Sequence, residues 1–228
     1  MTPDPFRIFL LSPANCSGRR AEILLAPTAR FELAQRLQSR RGAPLGEVFS
    51  FVSGLYFRGK LAYARRFARP PDPADALTAG GVLVITPNAG LRAADTRVTL
   101  TSFRAFAAVE IDVANPAYRR PLERGARALR AAIGEDCEVV LLGSIASGKY
   151  VDLLLPVFGS QLMFPPHFIG RGDMSRGGLM LRCVTAGLEL EYAPMTGAVR
   201  HGPRPPKLEP LPARGTKTDQ PPRTRRSR

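Results

Sequence analysis

Tryptophan is absent from the chain, cysteine occurs three times, and acidic residues number 19 against 33 lysines and arginines. Cys16, Cys137 and Cys183 are odd in number and far apart, with no C-x-x-C spacing. That pattern argues against a disulfide framework or a cysteine-built zinc site, and it predicts free thiols in a reducing, cytoplasmic setting. No metal and no cofactor is expected from the motifs present. Long apolar runs are also missing: none approaches the roughly 20 consecutive residues that a membrane span requires, so no membrane partner is expected. The opening MTPDPFRIFLLSPANCSGRR has a short apolar core without a basic segment before it. It reads as a first strand rather than a secretory signal.

What is present is a chain of 228 residues, 44% hydrophobic, enough for one α/β core and a tail. The net charge is +14, of which residues 201–228, with eight Lys/Arg and two Asp/Glu, carry +6. The remaining 25 basic and 17 acidic residues leave +8 on residues 1–200. The body is therefore basic without its tail, which makes nucleic acid or nucleotides plausible partners; an arginine-rich surface serving solubility is the alternative.

Phe6–Ser12 reads as the first strand, broken by PANCSG. A helix over Ser17–Leu25 follows with Arg19 and Arg20 at its start, a place where backbone N–H groups can hold an anion. A second helix is expected over Ala29–Gln38 and a loop over Arg40–Glu47. SGLYFRGKLAYARRFA, Ser53–Ala68, reads as one helix with Leu55, Phe57, Leu61, Ala64 and Phe67 or Ala68 inward and Arg58, Lys60, Arg65 and Arg66 at its other positions. Tyr56 and Tyr63 lie among those cations, an interleaving that suits stacked bases or a solvated face. Val82–Thr86 is the second strand, ending in the polar turn Pro87–Leu91 with Asn88. Val109–Val113 is expected as a short edge strand. Asn115-Pro116 starts an amphipathic helix through Leu122, Ala126, Leu129 and Ile133, with its arginines outward.

The chain is organised around EVVLLGSIASGKYVDLLLP, Glu138–Pro156. A buried strand, Val139–Leu142, enters the turn G-S-I-A-S-G-K-Y, one residue short of the phosphate-binding pattern G-x-x-x-x-G-K-[ST]. Lys149 matches the phosphate-contacting lysine, but Tyr150 stands where a short hydroxyl would hold magnesium. The alternative is a helix that begins directly after Gly143, with Ser144 near its start. Gln161–Phe164 is the fourth strand. It leads through Pro165-Pro166-His167 into FIGRGDMSRGG, whose Arg171, Asp173, Ser175 and Arg176 sit among glycines that admit close backbone approach. Leu179–Val184 and Leu188–Tyr192, separated by Thr185-Ala186-Gly187, read as a β-hairpin.

The order of parts resembles the uracil-DNA-glycosylase-like α/β superfamily. The matching pieces are SPANCSG after the first strand, LLGSIA at the third, and PPHFIGRGDMSRGG after the fourth. A second resemblance is to small uncharacterised bacterial domains of similar layout, carried by Tyr56-Phe57-Arg58, Val84–Leu91 and Gly148-Lys149-Tyr150. The superfamily resemblance implies a three-layer fold with Asn15, Asn88 and His167 facing one cleft. It also implies His167 as a donor to a leaving base, with Asn15 in the position of the water-activating group.

The expected fold is a single α/β domain over residues 1–200. It has a central, mostly parallel four-stranded sheet flanked by helices and a C-terminal hairpin. A disordered Pro/Arg-rich tail spans 201–228. The expected site gathers Ser12, Ser17, Arg19, Asn88, Gly143, Ser144, Arg171, Asp173, Ser175 and Arg176 at the strand C-terminal ends, with Asn15 and His167 as candidate catalytic groups. It would bind nucleic acid or a nucleotide, with action on a base or glycosidic bond as an extension. The alternatives are a nucleoside triphosphate bound at Gly143–Lys149, and a non-catalytic module that binds through its basic tail.

Overall fold

The computed structural model describes residues 5–208. In chain order the first half comprises β1 (Phe6–Leu11), α1 (Arg19–Leu25), α2 (Glu32–Gln38), β2 (Ala43–Pro44), α3 (Leu45–Ser53), α4 (Leu55–Phe67) and β3 (Val82–Thr86). Then come β4 (Gly90–Ala93), β5 (Arg97–Val98), α5 (Leu100–Ala107), α6 (Pro116–Ile133), β6 (Cys137–Leu142), α7 (Gly148–Phe158), β7 (Leu162–Phe164), α8 (Asp173–Ala186) and β8 (Ala193–Pro194).

One six-stranded sheet runs in the order β4-β3-β1-β6-β7-β8. The four apolar runs read as strands from sequence are its four central strands, all parallel, and the antiparallel β4 and β8 close the edges. β2 and β5 form a separate antiparallel pair. The parallel strands are apolar without alternation because both of their faces are covered. Phe9, Leu11, Val82, Val84, Val140 and Leu142 face one layer with α1–α5 and α8. Ile8, Leu10, Leu83, Ile85, Val139 and Leu141 face the other, built by α6 and α7. The three-layer α/β expectation holds, with six strands in place of four.

α6 forms as its sequence dictates. Asn115 Oδ1 accepts from the Ala117 N–H at 3.0 Å, Pro116 occupies the first turn, and Leu122, Ala126, Leu129 and Ile133 are buried. The single helix expected over Ser53–Ala68 is instead the second of two. Gly54, at φ +64°, ends α3 and begins α4 at a bend that other residues rarely adopt. α3 begins inside the stretch read as loop, taking its last three residues, because Leu45, Val48, Phe49 and Val52 share one buried face. Val109–Val113 forms no strand.

The expected C-terminal hairpin is overturned. Its first arm belongs to α8, and Thr185-Ala186-Gly187 is not a hairpin turn but a helix end. Gly187 adopts a left-handed conformation, with its N–H on the Val184 carbonyl and the Leu188 N–H on the Cys183 carbonyl. The second arm, 188–192, is not a strand. α8 packs on α4 backbone to backbone: a Cβ on Gly59 would lie 2.7 Å from the Gly177 carbonyl oxygen, and one on Gly177 2.9 Å from Tyr56 Cα. That close approach accounts for two glycines that weaken their own helices. The tail expectation falls partly outside the described residues. Residues 201–208 lack regular structure but lie along the body, with Arg171 Nη1 donating to the Pro206 carbonyl at 3.3 Å.

Candidate functional site

A cleft of about 410 Å³ opens at the C-terminal ends of β1, β3 and β6. The β1 turn, Ser12–Ser17, forms one wall, and Pro87 and Ser144 extend from the neighbouring strands. Tyr56 of α4, Val109–Ile111 after α5, Lys149 and Tyr150 in the first turn of α7, and Asp173 at the head of α8 complete it. Open parallel sheets place ligands at this end because their loops and helix N-termini converge there.

Beneath the cleft lies Lys60, with no exposed surface. Its ammonium donates to the Ser12 carbonyl at 2.6 Å and to Ser12 Oγ at 2.9 Å. It also sits over the Tyr56 and Phe57 rings, 4.5 and 4.8 Å from their centroids. Among the described residues no carboxylate forms an ion pair with it; Asp173 pairs with Arg176 at 3.3 Å. Burial lowers its pKa to about 7, Asp173 raising it and Arg176 lowering it further. Lys60 was expected outside the inward stripe of its helix. Instead it completes the stripe Tyr56, Phe57, Lys60, Tyr63, Ala64, Phe67, all of it buried. Gly143 lets the β6 end close against this point: a Cβ there would lie 2.9 Å from Ser12 Cβ and 3.1 Å from its Oγ.

The Tyr56 hydroxyl is buried and has no hydrogen-bond partner. Burial raises its pKa, and Arg176 pulls it part of the way back without a geometry that makes a bond. The phenol therefore stays protonated and unspent. Arg176 is itself buried and donates to the Phe168 carbonyl at 3.1 Å. Tyr150 is raised to about 12, mainly by burial, and Cys16 likewise to about 12, which leaves its thiol protonated and unreactive.

The structure brings together Ser12, Asn15, Ser17, Ser144 and Asp173 along the cleft, with Gly143 and Arg176 behind its surface. Asn15 Oδ1 accepts from the Ser17 N–H at 3.1 Å and the Ser17 hydroxyl at 3.0 Å, which shapes the turn. Arg171 and Ser175 lie elsewhere, in a second groove of about 330 Å³ shared with Arg204 and Lys207. Asn88 is turned to the Ala105 carbonyl at 2.8 Å, where it pins the end of α5. Arg19 is exposed in the first turn of α1, and the His167 side chain is exposed on a one-turn 3-10 segment, Pro166–Phe168. Neither is among the cleft residues.

The turn after β6 is longer than the helix-after-Gly143 alternative required. α7 begins at Gly148, so Gly143–Ser147 is a true loop and Lys149 stands in the helix's first turn. Sequence reasoning did not single out Lys60, Tyr56, Tyr150 or Glu110 as cleft groups. For Lys60 the signal was available, because the helical stripe is regular only when it is included. Among the described residues no three His, Cys, Asp or Glu side chains gather as metal ligands.

Comparison with protein-family models, with curated proteins and with solved structures finds no match to this chain.

Proposed function

We propose that the cleft binds the phosphate of a nucleotide or of a nucleic-acid strand. The observation that carries this reading is the buried, unpartnered hydroxyl of Tyr56, which feels the charge of Arg176 and whose ring lies under Lys60 at the strand C-terminal ends. A buried donor left without a partner costs about 1–3 kcal/mol, a cost that a ligand oxygen would relieve. Lys149 and the first turn of α7, which its N-cap Ser147 leaves without a side-chain cap, add the usual anion-binding features of a helix start. A volume of about 410 Å³ suits a mononucleotide or one strand end rather than a duplex.

Loop Gly143–Ser147 followed by Lys149 in the first helical turn supports a second reading of the same cleft, as a nucleoside-triphosphate site. The uracil-DNA-glycosylase-like resemblance is carried forward as a proposal about the fold. Its support is that all four strands it was drawn on are parallel and central, and that the SPANCSG and LLGSIA turns meet in the cleft. His167, which would carry base-release chemistry in that family, lies outside the cleft, so the reading rests on binding.

Fluorescence anisotropy of single- and double-stranded oligonucleotides and calorimetry of mononucleotides test it. Affinity is expected to fall steeply with salt as phosphates are neutralised. Absence of binding to every one of these at low salt would overturn it.

A further inference from the structure

We propose that Ser12 is a nucleophile, that Lys60 is its general base, and that the cleft cleaves a phosphate ester of a nucleotide through a covalent Ser12 intermediate. The inference rests on the phosphate-binding reading of the same cleft.

Three observations meet at one point. First, Lys60 Nζ is held by the Ser12 carbonyl at 2.6 Å, which aims its remaining valences at Ser12 Oγ, 2.9 Å away. A neutral amine keeps both contacts, giving one N–H to the carbonyl and its lone pair to the Ser12 O–H. Second, the surroundings favour that neutral form. Nζ has no exposed surface and no carboxylate among the described residues pairs with it, so desolvation opposes the charged form, against the attraction of the Tyr56 and Phe57 ring faces for a cation. The charged groups that bear on it are Asp173 and Arg176 of α8, of opposite sign, while Tyr56 of its own helix and Tyr150 of α7 stay neutral. A lysine buried only for structure normally keeps a counter-ion. Third, the Tyr56 hydroxyl supplies a neutral, unspent donor in the same cleft, as charge developing on a phosphoryl oxygen requires. Nucleophile, base and donor are the set that defines serine–lysine chemistry irrespective of fold.

In the first step Ser12 Oγ bonds to phosphorus and its proton passes to Lys60 Nζ. The bond from phosphorus to the leaving alcohol breaks, and that alcohol takes the proton from Lys60. In the second step water attacks phosphorus and gives a proton to Lys60. The Ser12–phosphorus bond breaks, and Ser12 Oγ recovers the proton. No oxidant, reductant or further reactant is needed.

The test uses the full chain and the p-nitrophenyl ester of thymidine 5′-monophosphate. The expected results are release of p-nitrophenolate and a nucleotidyl adduct on the peptide that contains Ser12. Both should be lost in Ser12→Ala and slowed about 10²–10⁴-fold in Lys60→Met. Because Lys60→Met places a new side chain in the core, the wild-type pH–rate profile is a second measure. The rate should rise from pH 6 and level off above the Lys60 transition. Calorimetry with thymidine 5′-monophosphate separates the two claims. Binding by the wild type without adduct or turnover overturns the nucleophile while leaving phosphate binding intact. Absence of binding overturns both. An adduct on another residue, or a rate flat from pH 6 to 9, also overturns the proposal.

Discussion

Replacing Tyr56 with phenylalanine removes one oxygen and little else. The residue is 6% exposed, its ring lies under Lys60 at 4.5 Å, and its hydroxyl has no partner. Phenylalanine keeps the ring face that the ammonium rests on, and the second ring, Phe57, is untouched. The change therefore deletes a desolvated group without breaking a bond. Relief of that penalty should stabilise the unliganded protein by about 1–3 kcal/mol. For a chain of this size each kcal/mol corresponds to roughly 2–4 °C in Tm. Ligand binding should move the opposite way, because a hydrogen bond to a charged phosphate oxygen is worth about 1.5–3 kcal/mol, a loss of about tenfold or more in affinity. Urea unfolding at pH 7 gives the first quantity and calorimetry with a mononucleotide the second. A Tyr56→Phe variant less stable than wild type by 1 kcal/mol or more, an order set by the worth of one bond, would refute the reasoning. It would mean that the hydroxyl is already satisfied in the free protein.

Lys60 makes stability depend on pH with a definite sign. Its folded pKa, about 7, lies below its unfolded value of 10.5, so between them the unfolded chain binds the extra proton and stability rises with pH. The difference in slope between wild type and Lys60→Met isolates this group and should approach about 1.4 kcal/mol per pH unit between pH 7.5 and 9. Ionisation of the unfolded thiols, which lowers stability in the same range, is common to both chains. Gly143→Ala presses a methyl group against Ser12 and should cost about 1–3 kcal/mol in urea titration, with loss of ligand binding. Gly177→Ala meets the α4 backbone at 2.9 Å and should destabilise at least as much, separating α8 from α4 and exposing residues 173–186 to hydrogen exchange. Deleting residues 209–228 should leave mononucleotide affinity unchanged while lowering the salt dependence of oligonucleotide binding, as anisotropy would show.

The four parallel strands were legible because each is an unbroken apolar run that ends in a turn, and α6 because cap, proline and stripe agree. α8 was not. Its buried side is Arg176, Gly177 and Met180, too little apolar surface for a helical period to appear, and its paired glycines argue against a helix. What holds it is Gly59 on α4, a contact distant in sequence. Half of the site was visible for the same reason. Ser12, Asn15, Ser17 and Ser144 follow strand ends, a position that local pattern reveals. Lys60 lies mid-helix in a run of cations, and its place in the stripe of Tyr56, Phe57, Tyr63, Ala64 and Phe67 is the one local sign that it points inward. His167 and Asn88 lie in turns of the expected kind, but the short 3-10 segment and the α5 contact point them elsewhere.

Phosphate is expected to bind in the cleft beneath which Lys60 lies. A structure of the full chain with thymidine 5′-monophosphate tests it most directly. The expected result is a phosphate oxygen within hydrogen-bonding distance of the Tyr56 hydroxyl, beside the first turn of α7. A nucleotide seated only in the groove of Arg171, Arg204 and Lys207, with the Tyr56 hydroxyl still unpartnered, would contradict it.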